Sequence, residues 1–315
     1  MEKYNCIVVL GPTAVGKTSI GVALAGEFNG EVISADSRQT YCHLDIGSGK
    51  DLDEYQYNGN KVPYHLIDIC SLPNEYNVFN YQQDFYPAFS DILNRGKLPV
   101  IVGGTGLYLD SVIRNYELLP VPENKELRAE LEPKSCEELT KILLSLKPDY
   151  HSTNDFYEKD RLIKAIEILK AQEGELGRQL REQIANRPKV NPLIIGTTLP
   201  RPQLWENISI RLRERLENGM IEEVEGIHNS GISYERLEKL GLEYRFCSLY
   251  LEGKLKDKED LYNQLFIAIR QFAKRQETWF RMMEKKGVMI NWLDAGSKEE
   301  RIKQAKDLVL SSWLK

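Results

Sequence analysis

Residues 11–18 carry the clearest chemical signal in the sequence, because they read G-P-T-A-V-G-K-T and fit the pattern G-x-x-x-x-G-K-[ST]. An apolar run at 5–10 precedes them and a helical pattern at 19–28 follows, which is the strand–loop–helix context that the pattern requires. In such a loop, backbone amides and the helix N-terminus converge on phosphate oxygens. Lys17 adds a positive charge, and the Thr18 hydroxyl can hold a phosphate-bound Mg²⁺. The pattern therefore predicts a phosphorylated ligand, but not a particular reaction.

Two further loops place polar side chains after strand-like apolar runs. Asp36 follows the run at 31–34, and Thr105 follows the run at 98–102 within the sequence G-G-T-G. Because strands of a doubly wound parallel sheet deliver such residues to the ligand crevice, both side chains are expected beside the phosphate loop. A carboxylate there can accept a proton or organise magnesium, and paired glycines let the backbone approach a ligand closely. Taken alone, Asp36 also fits a simple turn or helix-capping role.

The rest of the sequence indicates the scaffold that positions these loops. Short runs rich in Val and Ile alternate with helical stretches and lie at 6–10, 31–34, 65–69, 98–102, 193–197 and 288–292. This alternation predicts an α/β fold, with a parallel sheet core and helices on both faces. Between about 113 and 192 helical periodicity replaces the strand signals, and S-C-E-E at 135–138 is a capping box. We predict a phosphate-loop core from residues 1–112 and 193–315, with C-terminal helices, and an inserted all-helical domain at 113–192.

Composition places the chain among ordinary globular proteins. Its 315 residues are 42% hydrophobic and 28% charged, and no apolar run reaches the roughly 20 residues of a membrane span. The five cysteines include no C-x-x-C pair, so neither a disulfide framework nor a zinc knuckle is indicated. A net charge of −5 argues against indiscriminate coating of nucleic acid, but leaves room for a local basic groove. We expect a cytoplasmic protein with no membrane partner.

A basic stretch lies near the end of a long predicted helix at about 260–284, whose apolar face is expected to consist of Leu261, Leu265, Ile269 and Phe272. Trp279 stands seven residues after Phe272, so it could pack in the core or stack on a base. Within 270–286 six Lys and Arg residues outnumber two Glu residues, and Gln276 and Trp279 stand among the cations. The stretch fits a solvated helix face. It also fits a surface that binds RNA phosphates and stacks on a base. The residues themselves leave both interpretations open.

Taken together, six regions of the sequence resemble the tRNA dimethylallyltransferase family, also called tRNA isopentenyltransferases. In chain order they read GPTAVGKT at 11–18, ISADSRQTY at 33–41 with DIGSGK at 45–50, VGGTGLYL at 102–109, NISIRLRERLENGM at 207–220, LGLEYR at 240–245 and KRQETWFR at 274–281. The resemblance covers nearly the whole chain. It implies an enzyme that moves a dimethylallyl group from dimethylallyl diphosphate to N6 of adenosine 37, beside the tRNA anticodon.

The resemblance also implies roles on the donor side of the reaction. Asp36 would be the general base on the N6 amine, Thr105 would hydrogen-bond near the reacting groups, and Arg211 would close over the diphosphate. Mg²⁺ would be the cofactor, with Thr18 as its ligand. The diphosphate would be gripped by Gly11, Pro12, Thr13, Ala14, Val15, Gly16, Lys17 and Thr18.

On the acceptor side, the implied partner is the anticodon stem-loop of tRNA, and the chain is expected to act as a monomer. The implied tRNA contacts are Asp36, Ser37, Arg38, Gln39, Thr105, Arg128, Arg161, Lys164, Tyr244, Arg245, Lys274, Arg275, Gln276, Trp279 and Arg281. For Arg128, Arg161 and Lys164 an ordinary solvated-charge role stays open. The sequence departs from the usual family pattern at Asn207 and at 240–245, and both departures concern fine tRNA contacts.

Three other functions fit part of the pattern. A nucleoside or small-molecule kinase would share the loop and the sheet, and the insertion contains arginines that could serve as its lid. If the chain were an isopentenyltransferase acting on free adenine nucleotides, the basic stretch at 274–281 would have no evident function. A non-enzymatic RNA-binding switch would not need Asp36 and Thr105 beside the phosphate loop.

Overall fold

The computed structural model describes residues 4–118, 121, 123–148, 150, 158–172, 178, 181–182 and 184–313. The chain separates into two compact units, one from Met1–Asn115 with Lys189–Lys315 and the other from Tyr116–Pro188. The second unit interrupts the first in sequence, where the helical insertion at 113–192 was predicted.

A parallel sheet of six strands forms the centre of the first unit. In spatial order its strands are β5 (Tyr64–His65), β2 (Gly30–Ser34), β6 (Leu98–Gly103), β1 (Cys6–Leu10), β7 (Pro192–Gly196) and β8 (Asn291–Trp292). A separate antiparallel pair joins β3 (Gln56–Tyr57) to β4 (Asn60–Lys61). The residues of β1 and β2 are all buried, as expected where helices cover both faces of a parallel sheet.

Alternate residues of β1 enter two different hydrophobic cores, which shows that both faces of the sheet are covered. Val8 and Leu10 pack into one core, and Ile7 and Val9 pack into the other. The helices of this unit are α1 (Lys17–Glu27), α2 (Val78–Asn94), α3 (Gly106–Ile113), α7 (Arg201–Glu217), α8 (Met220–Asn229), α9 (Tyr234–Glu238), α10 (Leu242–Leu251), α11 (Lys258–Lys285) and α12 (Lys298–Trp313). The predicted α/β fold is confirmed. Within the described ranges, no helix has the length and apolar character needed to cross a membrane.

The two edge strands are shorter than the sequence predicted. The run at 65–69 leaves the sheet after His65, because Leu66 and Asp68 take positive φ angles of 62° and 56°. The run at 288–292 pairs only at its last two residues. There the Val288 amide donates instead to the Met283 carbonyl at 3.1 Å, closing the end of α11. In both places the apolar run is longer than the strand that forms, so the sequence overestimated the length of the edge strand.

The second unit is helical in its described part. Its helices are α4 (Lys125–Leu131), α5 (Cys136–Leu146) and α6 (Lys159–Gln172), and they enclose a core of Leu and Ile side chains. The predicted capping box at the start of α5 is present, since Ser135 and Glu138 exchange side-chain and backbone hydrogen bonds.

A buried carboxylate lies at the beginning of β2, away from the strand ends that carry the candidate site. The Glu31 side chain is 3% exposed, and it accepts hydrogen bonds from Arg95, Lys97 and His65. These donors favour the charged form, with Arg95 as the largest cause, and hold the pKa of Glu31 well below its usual range.

We expect the substitution E31Q to lower the free energy of unfolding at pH 7 by about 2 kcal/mol, because a buried amide cannot accept the hydrogen bonds of Arg95, Lys97 and His65 as the carboxylate does. Since the folded pKa of Glu31 is depressed, its contribution is complete above the unfolded value of about 4.3 and is lost as the pH falls toward the folded value. The difference between E31Q and the wild type should therefore shrink in acid, as measured by urea unfolding across pH. D91N removes an exposed partner of the same Arg95 and should cost about 1 kcal/mol or less. Equal losses in both variants would contradict the assignment.

Candidate active site

Three loops meet at the carboxyl ends of β2, β6 and β1, which are neighbours in the sheet. The Thr105 amide donates to the Ala35 carbonyl at 3.2 Å, and the Ser37 amide donates to Thr105 Oγ1 at 3.0 Å. Asp36 Oδ1 accepts from the Arg38 amide at 2.9 Å. The structure thus joins the loop of Asp36 to the loop of Thr105, as the sequence predicted from strand order.

The glycines of the G-G-T-G loop make room for neighbouring side chains. A Cβ atom at Gly104 would lie 2.5 Å from Gln276 Nε2 and 3.5 Å from Lys17 Nζ. A Cβ atom at Gly106 would lie 2.3 Å from the Trp279 ring. Small residues are required here because α11 packs its side chains directly onto this loop.

The phosphate loop is held by side chains from α7 and α11. Asn207 Nδ2 donates to the Ala14 carbonyl at 3.2 Å, and the Thr13 amide donates to Gln276 Oε1 at 2.8 Å. An Arg211 guanidinium nitrogen donates to the Thr13 hydroxyl. Gln276 Nε2 also donates to the Gly104 carbonyl at 2.9 Å, so this one side chain bridges two of the three loops.

The interior of the phosphate loop carries groups that favour binding of an anion. Lys17 Nζ donates to the Pro12 carbonyl at 2.6 Å, and burial lowers the pKa of Lys17 to about 8, with Asp36 opposing that shift. Burial and the nearby Arg215 lower the pKa of Arg211 to about 10. Within the part of the chain that the structure describes, no acceptor binds the amides of Ala14, Val15 and Gly16. Free amides at a helix N-terminus beside two half-buried cations are suited to bind phosphate.

Two cavities open from this region. The first, of about 450 Å³, is lined by the phosphate loop, and the second, of about 550 Å³, is lined by Thr105, Arg38 and Arg245 among others. Their shared lining consists of Thr13, Asp36, Ser48, Arg211, Phe272 and Gln276. Asp36 therefore lies where a ligand in one cavity would meet a ligand in the other.

Phe272 has a different place from the one its spacing predicted. The sequence grouped it with the apolar face of α11, but its side chain is 38% exposed and lines both cavities. Helical periodicity alone cannot separate a core face from the wall of a cavity.

The exposed face of α11 carries the predicted basic surface. Lys274, Arg275 and Arg281 are exposed, and Arg275 lines the second cavity. Trp279 is half-buried: its ring packs against the core and against Gly106, and it also lines the second cavity. Both sequence interpretations of Trp279 thus describe one side of the same ring.

Tyr244 corrects one prediction, because its side chain is fully buried and cannot present a surface to RNA. Its hydroxyl donates to Glu223 Oε1 at 2.8 Å. Gln39 and Gln276 are also buried, and both amides are engaged within the protein: Gln39 Nε2 donates to the Gly49 carbonyl at 3.0 Å. Both side chains position the loops, and Gln276 also lines the second cavity; their contact with RNA stays a prediction.

Glu223 is a positioning residue that the sequence did not reveal. Its carboxylate accepts hydrogen bonds from the amides of Asp45, Ile46 and Gly47 at 3.0, 2.7 and 3.1 Å. It thereby holds the D-I-G-S-G-K loop, whose Gly49 approaches Arg215 so closely that a Cβ atom would lie 1.8 Å from the guanidinium. Glu223 lies about 178 residues from this loop in sequence, so no local pattern marks the contact.

The predicted contacts of the insertion have partners within their own unit. Arg128 binds Glu167, whose side chain is fully buried, through two hydrogen bonds at 3.1 and 3.2 Å. Lys164 Nζ donates to the Val121 carbonyl at 2.8 Å, and Arg161 pairs with Glu158 at 2.9 Å on the surface. Their role toward tRNA stays a prediction.

For a cation, the described residues contain no group of three or more His, Cys, Asp and Glu side chains suited to hold a metal ion by themselves. Hard oxygen donors nevertheless line the first cavity, and these are Thr18, Asp36, Asp51 and Glu54. Mg²⁺ prefers such ligands and commonly shares them with substrate phosphates. The residues present therefore fit a magnesium ion that arrives with a diphosphate.

Fold and site together define a phosphate-loop transferase with a second substrate cavity beside its phosphate site. Comparison with known proteins gives the family. Family models described as IPP transferase and isopentenyl transferase match residues 39–283 and 4–62. The chain therefore belongs to the tRNA dimethylallyltransferase family.

Individual relatives agree with this assignment. The chain is 56% identical to tRNA dimethylallyltransferase 2 of Treponema denticola, covering 93% of this chain and 96% of that protein. Its fold matches the crystal structure of a tRNA isopentenylpyrophosphate transferase from Bacillus halodurans, with a TM-score of 0.70, 30% identity, and 99% and 97% of the two chains covered. A eukaryotic dimethylallyltransferase acting on tRNA shares the fold at 23% identity, with a TM-score of 0.73 and 98% and 78% coverage.

Neighbouring residues on α10 test the correction at Tyr244. We expect Y244F to lower the free energy of unfolding by about 1 kcal/mol, because a buried hydrogen bond is lost, and to leave tRNA affinity unchanged. R245A removes an exposed cation and should keep stability within about 0.5 kcal/mol while it weakens tRNA binding. Its log–log salt slope should also fall by about 0.7–0.9 in magnitude, measured by filter binding across a salt series. Weakened tRNA binding by a fully stable Y244F would overturn the correction.

Proposed function

We propose that this chain transfers a dimethylallyl group from dimethylallyl diphosphate to N6 of adenosine 37 in tRNA and releases diphosphate. Membership of the tRNA dimethylallyltransferase family gives the reaction class. The observation that supports the detailed assignment is the position of Asp36, which lines both the phosphate-loop cavity and the cavity beside Thr105. The kinase, free-nucleotide and RNA-switch alternatives are not favoured by the relatives.

The donor binds with its diphosphate in the phosphate loop. The free amides of the loop, Lys17 and Arg211 all face that group. Negative charge grows on the diphosphate as the bond from its oxygen to C1 breaks, so fixed donors and cations stabilise the transition state more than the ground state. Phe272 offers the dimethylallyl group an apolar wall between the two cavities.

The acceptor enters through the second cavity. Adenosine 37 is stacked in the anticodon loop, so the base must be extruded before its N6 atom can reach C1. The N6 lone pair is conjugated into the ring, and the amine is therefore a weak nucleophile. As N6 forms its bond to C1, Asp36 takes one amine proton, and the electron pair of the broken bond leaves with the diphosphate.

Magnesium is the proposed cofactor; Thr18, with Asp51 and Glu54 of the same cavity, would hold it together with the donor's phosphates. When bound, it neutralises charge on the leaving group. The tRNA partner is proposed to dock its anticodon stem-loop against the exposed cations of α11 and the lining of the second cavity. We further propose that the chain acts as a monomer in the cytoplasm.

A direct test is incubation of the protein with unmodified tRNA, dimethylallyl diphosphate and Mg²⁺, without ATP, followed by mass spectrometry of the nucleosides. We expect adenosine 37 to gain one dimethylallyl group, because the reaction needs only an allylic diphosphate. A kinase would require the γ-phosphate of ATP. Product that forms only when ATP is added, with release of ADP, would contradict the proposal.

D36N tests the general base. The amide keeps the shape of the side chain but cannot take the proton, so we expect single-turnover transfer to slow by about 10²–10⁴-fold with unchanged diphosphate binding. Rapid-quench assays with saturating tRNA measure the chemical step. D307N changes an exposed carboxylate on α12 and should react like the wild type. Near-normal transfer by D36N would remove Asp36 from the mechanism.

A further inference from the structure

One buried cation on α12, Arg301, has no countercharge among the described residues. The Arg301 side chain reaches under the phosphate loop and is 5% exposed. Its Nη1 donates to the Val15 carbonyl and, at 2.8 Å, to the Thr197 hydroxyl. The Nε–H is buried and has no acceptor among the residues that the structure describes.

No described carboxylate forms an ion pair with Arg301. Glu299 favours its charge from a distance, while burial lowers the pKa of Arg301. The other buried cations among the described residues have carboxylate partners: Lys50 binds Asp45 and Asp68, and an Arg215 guanidinium nitrogen lies 3.6 Å from Asp51 Oδ2. A buried guanidinium is retained without a countercharge only at a cost, because two neutral oxygens do not replace the water it has lost.

The position of Arg301 indicates where its countercharge comes from. Arg301 lines the first cavity together with Lys17 and Arg211. A Cβ atom at Gly16 would lie 3.8 Å from Arg301 Nη2, and this nitrogen has no hydrogen-bond partner among the described residues. This nitrogen therefore lies beside Gly16, and the guanidinium shares the lining of the first cavity with the phosphate loop, where an anion is expected to bind.

We propose that Arg301 is a further diphosphate-binding residue, whose charge is satisfied only when the donor's diphosphate occupies the loop. This inference rests on the proposed function, which places the diphosphate there. It makes α12 part of the donor site, although α12 carries none of the family's sequence motifs. The protein without donor then contains an unsatisfied buried charge, and donor binding removes it.

The test uses inorganic pyrophosphate with Mg²⁺ as the probe, and three variants of the full chain. R301M keeps the length of the side chain and removes the charge, R301K keeps the charge, and K306M is the matched control. Lys306 lies on the same helix and pairs with Glu27, and it does not line the cavity. Calorimetry measures pyrophosphate affinity, and melting curves are recorded with and without the probe.

We expect R301M to bind pyrophosphate about 10- to 100-fold more weakly, as for loss of a hydrogen-bonded charge. The rise in melting temperature that the probe causes should be smaller in R301M than in the wild type, because the bound probe no longer meets this charge. The salt dependence of its affinity should be shallower than that of the wild type. R301K should retain the wild-type salt dependence, and K306M should bind as the wild type does.

The alternative is that Arg301 only clamps the Val15 carbonyl. In that case R301K weakens binding as much as R301M, and the salt dependence is unchanged in both; either result overturns the inference. If R301M does not fold, R301Q replaces it, because glutamine keeps a hydrogen-bond donor without the charge. A salt dependence of R301Q as steep as that of the wild type would then overturn the inference. Failure of the wild type itself to bind pyrophosphate would instead contradict the proposed donor site.

Discussion

The phosphate loop depends on side chains that bind its carbonyl groups from outside. Asn207 holds the Ala14 carbonyl and Arg301 holds the Val15 carbonyl. In a trans peptide the carbonyl and the N–H of the following residue point in opposite directions. When a side chain holds the carbonyl, the next amide therefore points away from that side chain. The amides of Val15 and Gly16 are therefore set before any ligand arrives, and the site does not have to order itself on binding.

The order of the parallel sheet explains why the phosphate loop and the second cavity adjoin. β1, β6 and β2 are neighbours, so the phosphate loop, the Thr105 loop and the Asp36 loop share one edge although they are far apart in sequence. Gln276 then fixes the first two loops to α11, the helix that also carries the exposed cations. One helix thus fixes the distance between the phosphate loop and the exposed cations.

The features that were predicted correctly from the sequence are those that local patterns encode. The phosphate motif, the central strands and the capping box at Ser135 all depend on residues within a few positions of one another, and each is found in the structure. Glu223 and Arg301 were not identified, because long-range contacts leave no periodic signal. Tyr244 was misassigned for a related reason: its place in a motif does not reveal which way its side chain points. The edge strands were overestimated because β propensity ignores the φ angles of a turn such as that at Leu66.

Arg301 is synthesised long after the phosphate loop that it holds. Val15 and Arg301 are about 286 residues apart, and translation proceeds from the first toward the second at about 5–20 residues per second. For many seconds a nascent chain carries the complete phosphate motif without the side chains that hold it. A shortened polypeptide that stops before α12 would keep the signature by which the site is recognised, but it would lack the Arg301 contact that shapes it.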